Sequence, residues 1–172
     1  GDRPAALAEL MGIIANGGAR RPTQRVGALH FGRDTPYETR LEPLNAGVEQ
    51  VLPTEVATTV RRALVQVVQD GTARRLKDSL VDADGRVIEI GGKTGTGDHR
   101  YGHTGLGGRA GSERKISRSA TFVFMIGDRY FGTIMAYVSE PYAARYRFTS
   151  SLPTQLLKSL GPQLLPVLQR RG

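Results

Sequence analysis

Two apolar segments in the second half of the chain constrain its fold more than any other feature. Residues 120–126 and 130–139 are rich in β-branched and aromatic side chains, and only the tripeptide Gly127-Asp128-Arg129 separates them. A short glycine-containing connection between two such segments is typical of a β-hairpin. The aromatic side chains along the hairpin are expected to pack in the core. The sequence therefore predicts an antiparallel sheet that contains this hairpin.

Three helices are predicted in the first half of the chain. Apolar side chains recur at helical spacing over residues 4–16, and Gly17-Gly18 follows them. This pattern indicates an amphipathic helix that ends at a glycine stop. A clearer helix begins at Pro53, with an apolar stripe that continues to Gly71 and must be buried. A third, short helix is expected from Thr72.

The remaining segments give weaker patterns. Residues 24–31 and 39–44 are possible strands within a strand-and-loop excursion. Leucines at helical spacing predict a last helix over residues 153–169. Because proline lacks the backbone N–H that a helix interior needs, Gly161-Pro162 and Pro166 should break or kink that helix.

Length and composition favour one globular domain. The chain has 172 residues, of which 39% are hydrophobic and 23% charged, and one domain usually has about 100 to 200 residues. No segment approaches the ~18 consecutive apolar residues that a membrane span requires. No signal-peptide pattern is present either, so we expect any export signal or membrane anchor to lie outside this sequence. The absence of cysteine excludes disulfides and thiolate metal sites.

The net charge of +8 leaves a second class of function open. A basic protein favours nucleic acid, anionic lipid headgroups or an acidic polymer as a neighbour. Most of the charge comes from dispersed arginines, which favours a solvated basic surface over one anion-binding groove. A basic, non-catalytic module that holds an anionic polymer is therefore one hypothesis, and its affinity should fall steeply with salt.

A glycine-rich segment carries the clearest chemical signal. A strand predicted at residues 87–90 continues directly into Gly91-Gly92-Lys93-Thr94-Gly95-Thr96-Gly97. Since side chains alternate along a strand, Lys93 and Gly95 should share one face and Thr94 and Thr96 the other. Glycine allows another backbone to approach closely, lysine supplies a positive charge, and threonine hydroxyls can bond a carboxylate. The pattern suits an extended peptide that ends in a free carboxylate.

These residues resemble a known family. The segment 92–96 is similar to the K-T-G motif of penicillin-binding proteins and class A β-lactamases. Its surroundings resemble the same family over nearly the whole chain: residues 10–18 (LMGIIANGG), residues 52–73, which end in Gly-Thr-Ala, and the two strands after the motif. The order and spacing of these segments agree with the family. The resemblance is closer to the bifunctional, class A proteins than to class B.

The resemblance implies a serine acyl transfer. In the family, a serine attacks the penultimate D-Ala carbonyl of a peptidoglycan stem peptide, D-Ala leaves, and an amine of another stem peptide resolves the acyl-enzyme. β-Lactams mimic the D-Ala-D-Ala terminus. The implied catalytic residues are Lys93 and Thr96, with Lys93 steadying charge and protons and the Thr96 N–H contributing to the oxyanion hole. Thr94 and Thr96 would flank the substrate carboxylate, and Gly95 would leave space for the acyl chain.

The family's nucleophile motif does not precede Lys93 in this sequence. Upstream of Lys93 there is no S-x-x-K, S-x-N or Y-x-N motif. Ser112-Glu113-Arg114-Lys115 matches S-x-x-K, but it follows Lys93 in a polar segment, whereas the nucleophile belongs at the start of a buried helix. We therefore interpret residues 1–172 as the C-terminal part of a transpeptidase domain, with the upstream strands and the nucleophile helix missing.

Three other patterns have simpler explanations. A phosphate-binding loop fails because Val87 stands where its first glycine belongs. His99 and His103 lie among glycines without a carboxylate cluster, so surface histidines are favoured over a metal site. Residues 97–118 are rich in glycine and charge, and they predict a long loop. We expect no cofactor and no nucleic-acid partner.

The resulting prediction is an α/β fold, in which an antiparallel sheet is flanked by the Pro53 and C-terminal helices. An uncovered sheet edge and an apolar helix face predict self-association or binding to the upstream segment of the same parent protein. The parent is expected to be extracytoplasmic and anchored in the cytoplasmic membrane, where it would act in cell-wall synthesis and cell shape, with a glycosyltransferase domain if class A. A degenerate family member that senses β-lactams or cell-wall peptides without turnover is the third hypothesis.

Overall fold

The computed structural model describes residues 3–24, 26–42, 47–102 and 114–169. Three helices, seven strands and one 3₁₀ helix occur within these ranges. In chain order they are α1 (Pro4–Ala15), β1 (Ala19–Arg20), β2 (Leu29–Phe31), β3 (Thr39–Leu41), β4 (Glu49–Gln50), α2 (Thr54–Gln69), the 3₁₀ helix (Arg74–Leu76), β5 (Ile90–Tyr101), β6 (Arg114–Ile126), β7 (Tyr130–Ser139) and α3 (Ser151–Leu168).

Three long antiparallel strands form the main sheet, in the order β5-β6-β7. The predicted hairpin is confirmed as β6 and β7, with Ile126 opposite Tyr130 at the turn. In β5, Lys93 lies opposite Val123 of β6. The short strands form two separate pairs, β1 with β4 and β2 with β3. The predicted antiparallel sheet flanked by helices is therefore confirmed.

Each face of the main sheet carries its own part of the hydrophobic core. Because side chains alternate along β6, its odd-numbered residues face α1 and its even-numbered residues face α3. The α1 side contains Met11, Ile14, Leu64, Val123 and Met125. The α3 side contains Val68, Ala73, Leu76, Leu80, Ile90, Phe122, Ile126 and Leu157.

Several predicted boundaries were wrong. The predicted strand at residues 87–90 contributes only Ile90 to β5, while Val87 forms an isolated bridge with Val81. The predicted loop over residues 97–118 was too long, since β5 continues to Tyr101 and β6 begins at Arg114. The two possible strands before α2 are shorter than predicted, at three residues each. The short helix expected from Thr72 is a single 3₁₀ turn.

The last helix is continuous, so the break that was predicted as one effect of its prolines does not occur. Helix α3 contains both Pro162 and Pro166, and its own residues Leu157 and Gly161 are buried. The apolar face of α3 packs against the sheet through Leu164, Leu165 and Leu168. Burial of this leucine-rich face outweighs the hydrogen bonds that the prolines cannot make.

Two consecutive glycines set the position of the glycine-rich segment in the sheet. A Cβ atom on Gly91 would lie 2.5 Å from the terminal methyl of Met125 and 3.2 Å from the backbone N of Val65 in α2. A Cβ atom on Gly92 would collide with the carbonyl oxygen of Val123 and lie 2.6 Å from the Phe122 ring. Helix α2 and strand β6 can therefore approach the backbone of β5 only because these side chains are absent.

A charged cluster stabilises the other end of β5. Asp98 accepts from Arg118 at 2.9 Å and 3.2 Å, and it also forms ion pairs with Lys115 at 2.9 Å and with Arg100 at 4.0 Å. The hydrogen bond from Lys115 lowers the pKa of Asp98 below its ordinary value of 3.8. The positive charge of Arg118 acts in the same direction, while partial burial of the carboxylate opposes both effects.

Gly92→Ala should destabilise the protein by about 1–3 kcal/mol, because the added methyl overlaps backbone and a buried ring. Gly95→Ala is the matched control, since nothing lies within 4 Å of the position of its Cβ atom, and it should change stability by less than about 0.5 kcal/mol. Chemical denaturation of both variants beside the wild type measures the difference. Equal stability of the two variants would contradict the close packing at Gly92.

Asp98→Asn should destabilise the protein at neutral pH and lose that effect in acid. A carboxylate whose folded-state pKa is lowered adds stability above its unfolded-state pKa of about 3.9, and that stability disappears as the pH falls through the lower folded-state value. Denaturation between pH 3 and pH 7 should therefore show wild type and variant converging below about pH 4. A difference that stays constant down to pH 3 would mean that the Asp98 ion pairs add no stability.

Candidate active site

Strand β5 is an edge strand of the main sheet. It pairs with β6 on one side, and no described strand pairs with its other side. An edge strand presents unpaired backbone N–H and C=O groups, to which an extended peptide can bind by adding a further strand. The four residues singled out in the sequence, from Lys93 to Thr96, lie in this strand. They are therefore placed where a peptide could bind along them.

The predicted alternation of side chains along β5 is confirmed. Thr94 and Thr96 point toward the segments that follow α2 and precede α3: the Thr94 hydroxyl lies 2.6 Å from the Thr72 hydroxyl, and the Ser150 N–H donates to Thr96 Oγ1 at 2.9 Å. The Lys93 side chain lies on the opposite face and is exposed. Its ammonium group donates to the Thr94 carbonyl at 2.7 Å.

An open groove of about 560 Å³ runs along β5. Lys93, Thr94, Gly95 and Thr96 all line it, so the structure brings the four predicted residues together. Its remaining lining combines β6 and β7 side chains with one residue of α1 and two further residues of β5. These residues are Ser119, Thr121, Val123, Met135, Tyr137, Leu7, Gly97 and His99.

A second groove, more polar than the first, lies beside the threonine partners. Thr72 and Ser150 line it together with Arg74 and Arg75. Neither Thr72 nor Ser150 was predicted as a site residue, and Thr72 was expected only to begin a short helix. Thr72 could have been noticed because it belongs to the Gly-Thr-Ala ending that resembles the family. Ser150 gave no sequence signal, since it is 54 residues from its partner Thr96.

The weaker sequence candidates are only partly described. His99 lies in β5 and lines the first groove, whereas His103 is outside the described residues. In the S-x-x-K match, Ser112 is outside the described residues and Lys115 lies in β6, where it pairs with Asp98. Among the described helices, none is both long and apolar enough to cross a membrane.

The arrangement combines three features that suit an extended peptide with a terminal carboxylate. The free edge of β5 offers backbone hydrogen bonds, Lys93 supplies a positive charge, and Thr94 and Thr96 supply hydroxyl groups. Hydrogen bonds to a charged group are stronger than those between neutral groups. The site can therefore orient a carboxylate relative to the strand edge.

Several solved structures have a similar fold. Penicillin-binding protein 3 from Mycobacterium tuberculosis, complexed with aztreonam, matches with 20% identity and a TM-score of 0.56 over 96% of this chain and 35% of its own. The same protein complexed with ampicillin matches with 20% identity and a TM-score of 0.58 over 94% of this chain and 34% of its own. PBPA from Mycobacterium tuberculosis matches with 20% identity and a TM-score of 0.52 over 95% of this chain and 32% of its own.

The chain thus spans about a third of the length of these structures. No curated protein matches it. The family model of the penicillin-binding protein transpeptidase domain matches residues 4–136, a range that includes α1, α2, β5, β6 and most of β7. The resemblance predicted from the K-T-G segment is thereby confirmed. This chain belongs to the family of penicillin-binding protein transpeptidase domains.

Proposed function

We propose that this chain supplies the substrate-binding side of a peptidoglycan D,D-transpeptidase site. One observation carries the proposal: Lys93, Thr94, Gly95 and Thr96 lie together on the unpaired edge of β5 and line one open groove. The substrate would be a stem peptide that ends in D-Ala-D-Ala, bound in extended form along this edge. β-Lactams would bind at the same place as mimics of that terminus.

The hydroxyl groups would bind the substrate carboxylate. Thr94 is nearly buried, with 8% of its surface exposed, and is held by Thr72, so its hydroxyl has little freedom to rotate away. Thr96 is held by the Ser150 amide. A hydroxyl fixed before binding loses little entropy when the carboxylate arrives.

The face of β5 that lines the groove would carry the residues for the acyl-transfer step. Lys93 faces the groove, and its ammonium group would exchange the Thr94 carbonyl for a bond near the attacking serine. The Thr96 N–H would help to stabilise the oxyanion as the carbonyl carbon becomes tetrahedral. Gly95 has open space at its Cβ position, which would accommodate the acyl chain. Lys93 and Thr96 are thus the proposed catalytic residues of this chain.

The serine would come from an upstream segment of the parent protein. The sequence contains no S-x-x-K motif before Lys93, and the chain spans about a third of its structural relatives. Because Lys93 faces the groove, the serine-bearing segment should dock there, against Thr121, Val123 and Leu7. Exposed apolar side chains on the helices, Leu10, Val56 and Val60, provide further surface for it or for a second copy of the chain.

The family also suggests a wider context for the parent protein. We propose that it acts outside the cytoplasm in cell-wall synthesis, with an anchor in the cytoplasmic membrane. A glycosyltransferase domain would accompany it if the closer resemblance to class A is correct. The isolated chain would be inactive, because it lacks the nucleophile that forms the acyl-enzyme.

Intact-mass analysis after incubation with a reactive penicillin tests the proposal. The isolated chain should form no adduct, and the full-length protein should form one adduct on a serine upstream of these residues. Lys93→Met in the full-length protein should slow adduct formation by at least about tenfold, because it removes a positive charge near the reacting groups. Circular dichroism of the isolated chain verifies that it is folded in the assay.

Two results would count against this function. A stoichiometric adduct on the isolated chain, mapped to Ser112 or another of its serines, would place the nucleophile within these residues. A full-length protein that forms no adduct would favour the degenerate sensor or the polymer-binding module.

A further inference from the structure

The Thr96 hydroxyl oxygen already accepts one hydrogen bond within the protein. The Ser150 N–H donates to Thr96 Oγ1 at 2.9 Å. A hydroxyl oxygen that accepts from a backbone amide keeps its own proton available for donation. The amide therefore restricts the directions in which that proton can point. If Ser150 moved away, the hydroxyl would rotate more freely.

Arg118 holds the segment that carries this amide. Its Nε donates to the Phe148 carbonyl at 2.6 Å, two residues before Ser150. Its guanidinium also lies over the Phe148 ring, 5.6 Å from the ring centroid. Arg118 of β6 thus contacts both the backbone and the ring of Phe148, close in sequence to Ser150.

Asp98 in turn fixes Arg118. The two carboxylate oxygens of Asp98 lie 2.9 Å and 3.2 Å from Arg118 Nη1. The side chains of Asp98 and Arg118 are 19% and 12% exposed, so water screens their attraction less than it would at the surface. Asp98 is two residues from Thr96 on the same strand and therefore on the same face. The contacts form a closed loop from Thr96 through Ser150, Phe148, Arg118 and Asp98 back to Thr96.

We propose that Asp98 and Arg118 are positioning residues that aim the Thr96 hydroxyl at the carboxylate of the bound peptide or β-lactam. They act through Phe148 and Ser150 and do not touch the substrate themselves. This inference rests on the proposed transpeptidase function and extends it to two residues outside the K-T-G segment. It also gives a role to the Asp98 cluster beyond stabilising one end of the sheet.

The alternative is that the cluster only stabilises the fold. A purely structural role would lower the acylation of every β-lactam by the same factor, because it would reduce the amount of correctly folded protein. A positioning role would affect only ligands that carry the carboxylate. The ratio of the acylation rates for a penicillin and for its methyl ester distinguishes the structural role from the positioning role, because the same fraction of folded protein reacts with both ligands.

The experiment measures that ratio in the full-length protein. Wild type should acylate faster with the free acid than with the ester. Thr96→Val should reduce the preference by about tenfold, as expected for a lost hydrogen bond to a charged group. Arg118→Met and Asp98→Asn should reduce it several-fold. Arg118→Lys should not restore it, because lysine cannot donate to both Asp98 and the Phe148 carbonyl in the arginine geometry.

Arg61→Met is the matched control. Arg61 also pairs with two carboxylates, Glu89 at 3.0 Å and Asp128 at 2.7 Å, and donates to the Gly127 carbonyl at 3.1 Å. These partners lie at the opposite end of the sheet from Asp98. Its loss should lower stability without changing the preference for the free acid.

A double variant tests whether Arg118 acts through Thr96. If it does, Thr96→Val combined with Arg118→Met should show the same preference as Thr96→Val alone. An unchanged preference in Arg118→Met, or a further loss in the double variant, would overturn the inference while leaving the transpeptidase function intact. Failure of the wild type to acylate with either ligand would overturn both.

Discussion

The approach of helix α2 and strand β6 to the backbone of β5 at Gly91 and Gly92 is the constraint on which the site depends. With no side chain at either position, the side chains of Met125 and Phe122 and the backbone nitrogen of Val65 pack directly on the β5 backbone. The two glycines thus anchor the buried end of the strand. The next four residues continue from this anchor along the free edge of the sheet, where their orientation is set by strand geometry.

This geometry separates two tasks on the two faces of one strand. Thr94 and Thr96 contact the segments beside α2 and α3, and these contacts fix their hydroxyls before a ligand binds. Lys93 and Gly95 face the open groove, where the proposed nucleophile would dock. The peptide itself would lie along the edge between them. A transpeptidase needs this separation, because the carboxylate must be held while the neighbouring carbonyl reacts with the serine.

Apolar periodicity in the sequence predicted those helices and strands whose apolar residues recur at regular spacing. Apolar periodicity predicted α1, α2 and β7 within two residues, whereas β6 begins six residues before the predicted start of its strand. The polar end of β5 was predicted as loop because Asp98 and Arg100 carry no apolar signal. This end of β5 pairs with β6 as far as Tyr101, and Asp98 forms cross-strand ion pairs there with Arg118 and Lys115, contacts that a local sequence pattern does not reveal. Helix α3 is continuous through Pro162 and Pro166 for a comparable reason, since tertiary burial of its leucines overrides local preference.

The same distinction holds for the site. Lys93, Thr94, Gly95 and Thr96 were identified because they are consecutive and resemble a known motif. Their supporting residues were not identified, because only the tertiary fold brings Thr72 and Ser150 to β5 and Phe148 to Arg118 of β6. A crystal structure of the full-length protein after reaction with a penicillin would show where the substrate carboxylate binds. We expect the carboxylate of the adduct within hydrogen-bond distance of the Thr94 and Thr96 hydroxyls, with the acyl chain along the free edge of β5. An adduct whose carboxylate lies away from β5, for example against Arg74 and Arg75 alone, would contradict this expectation.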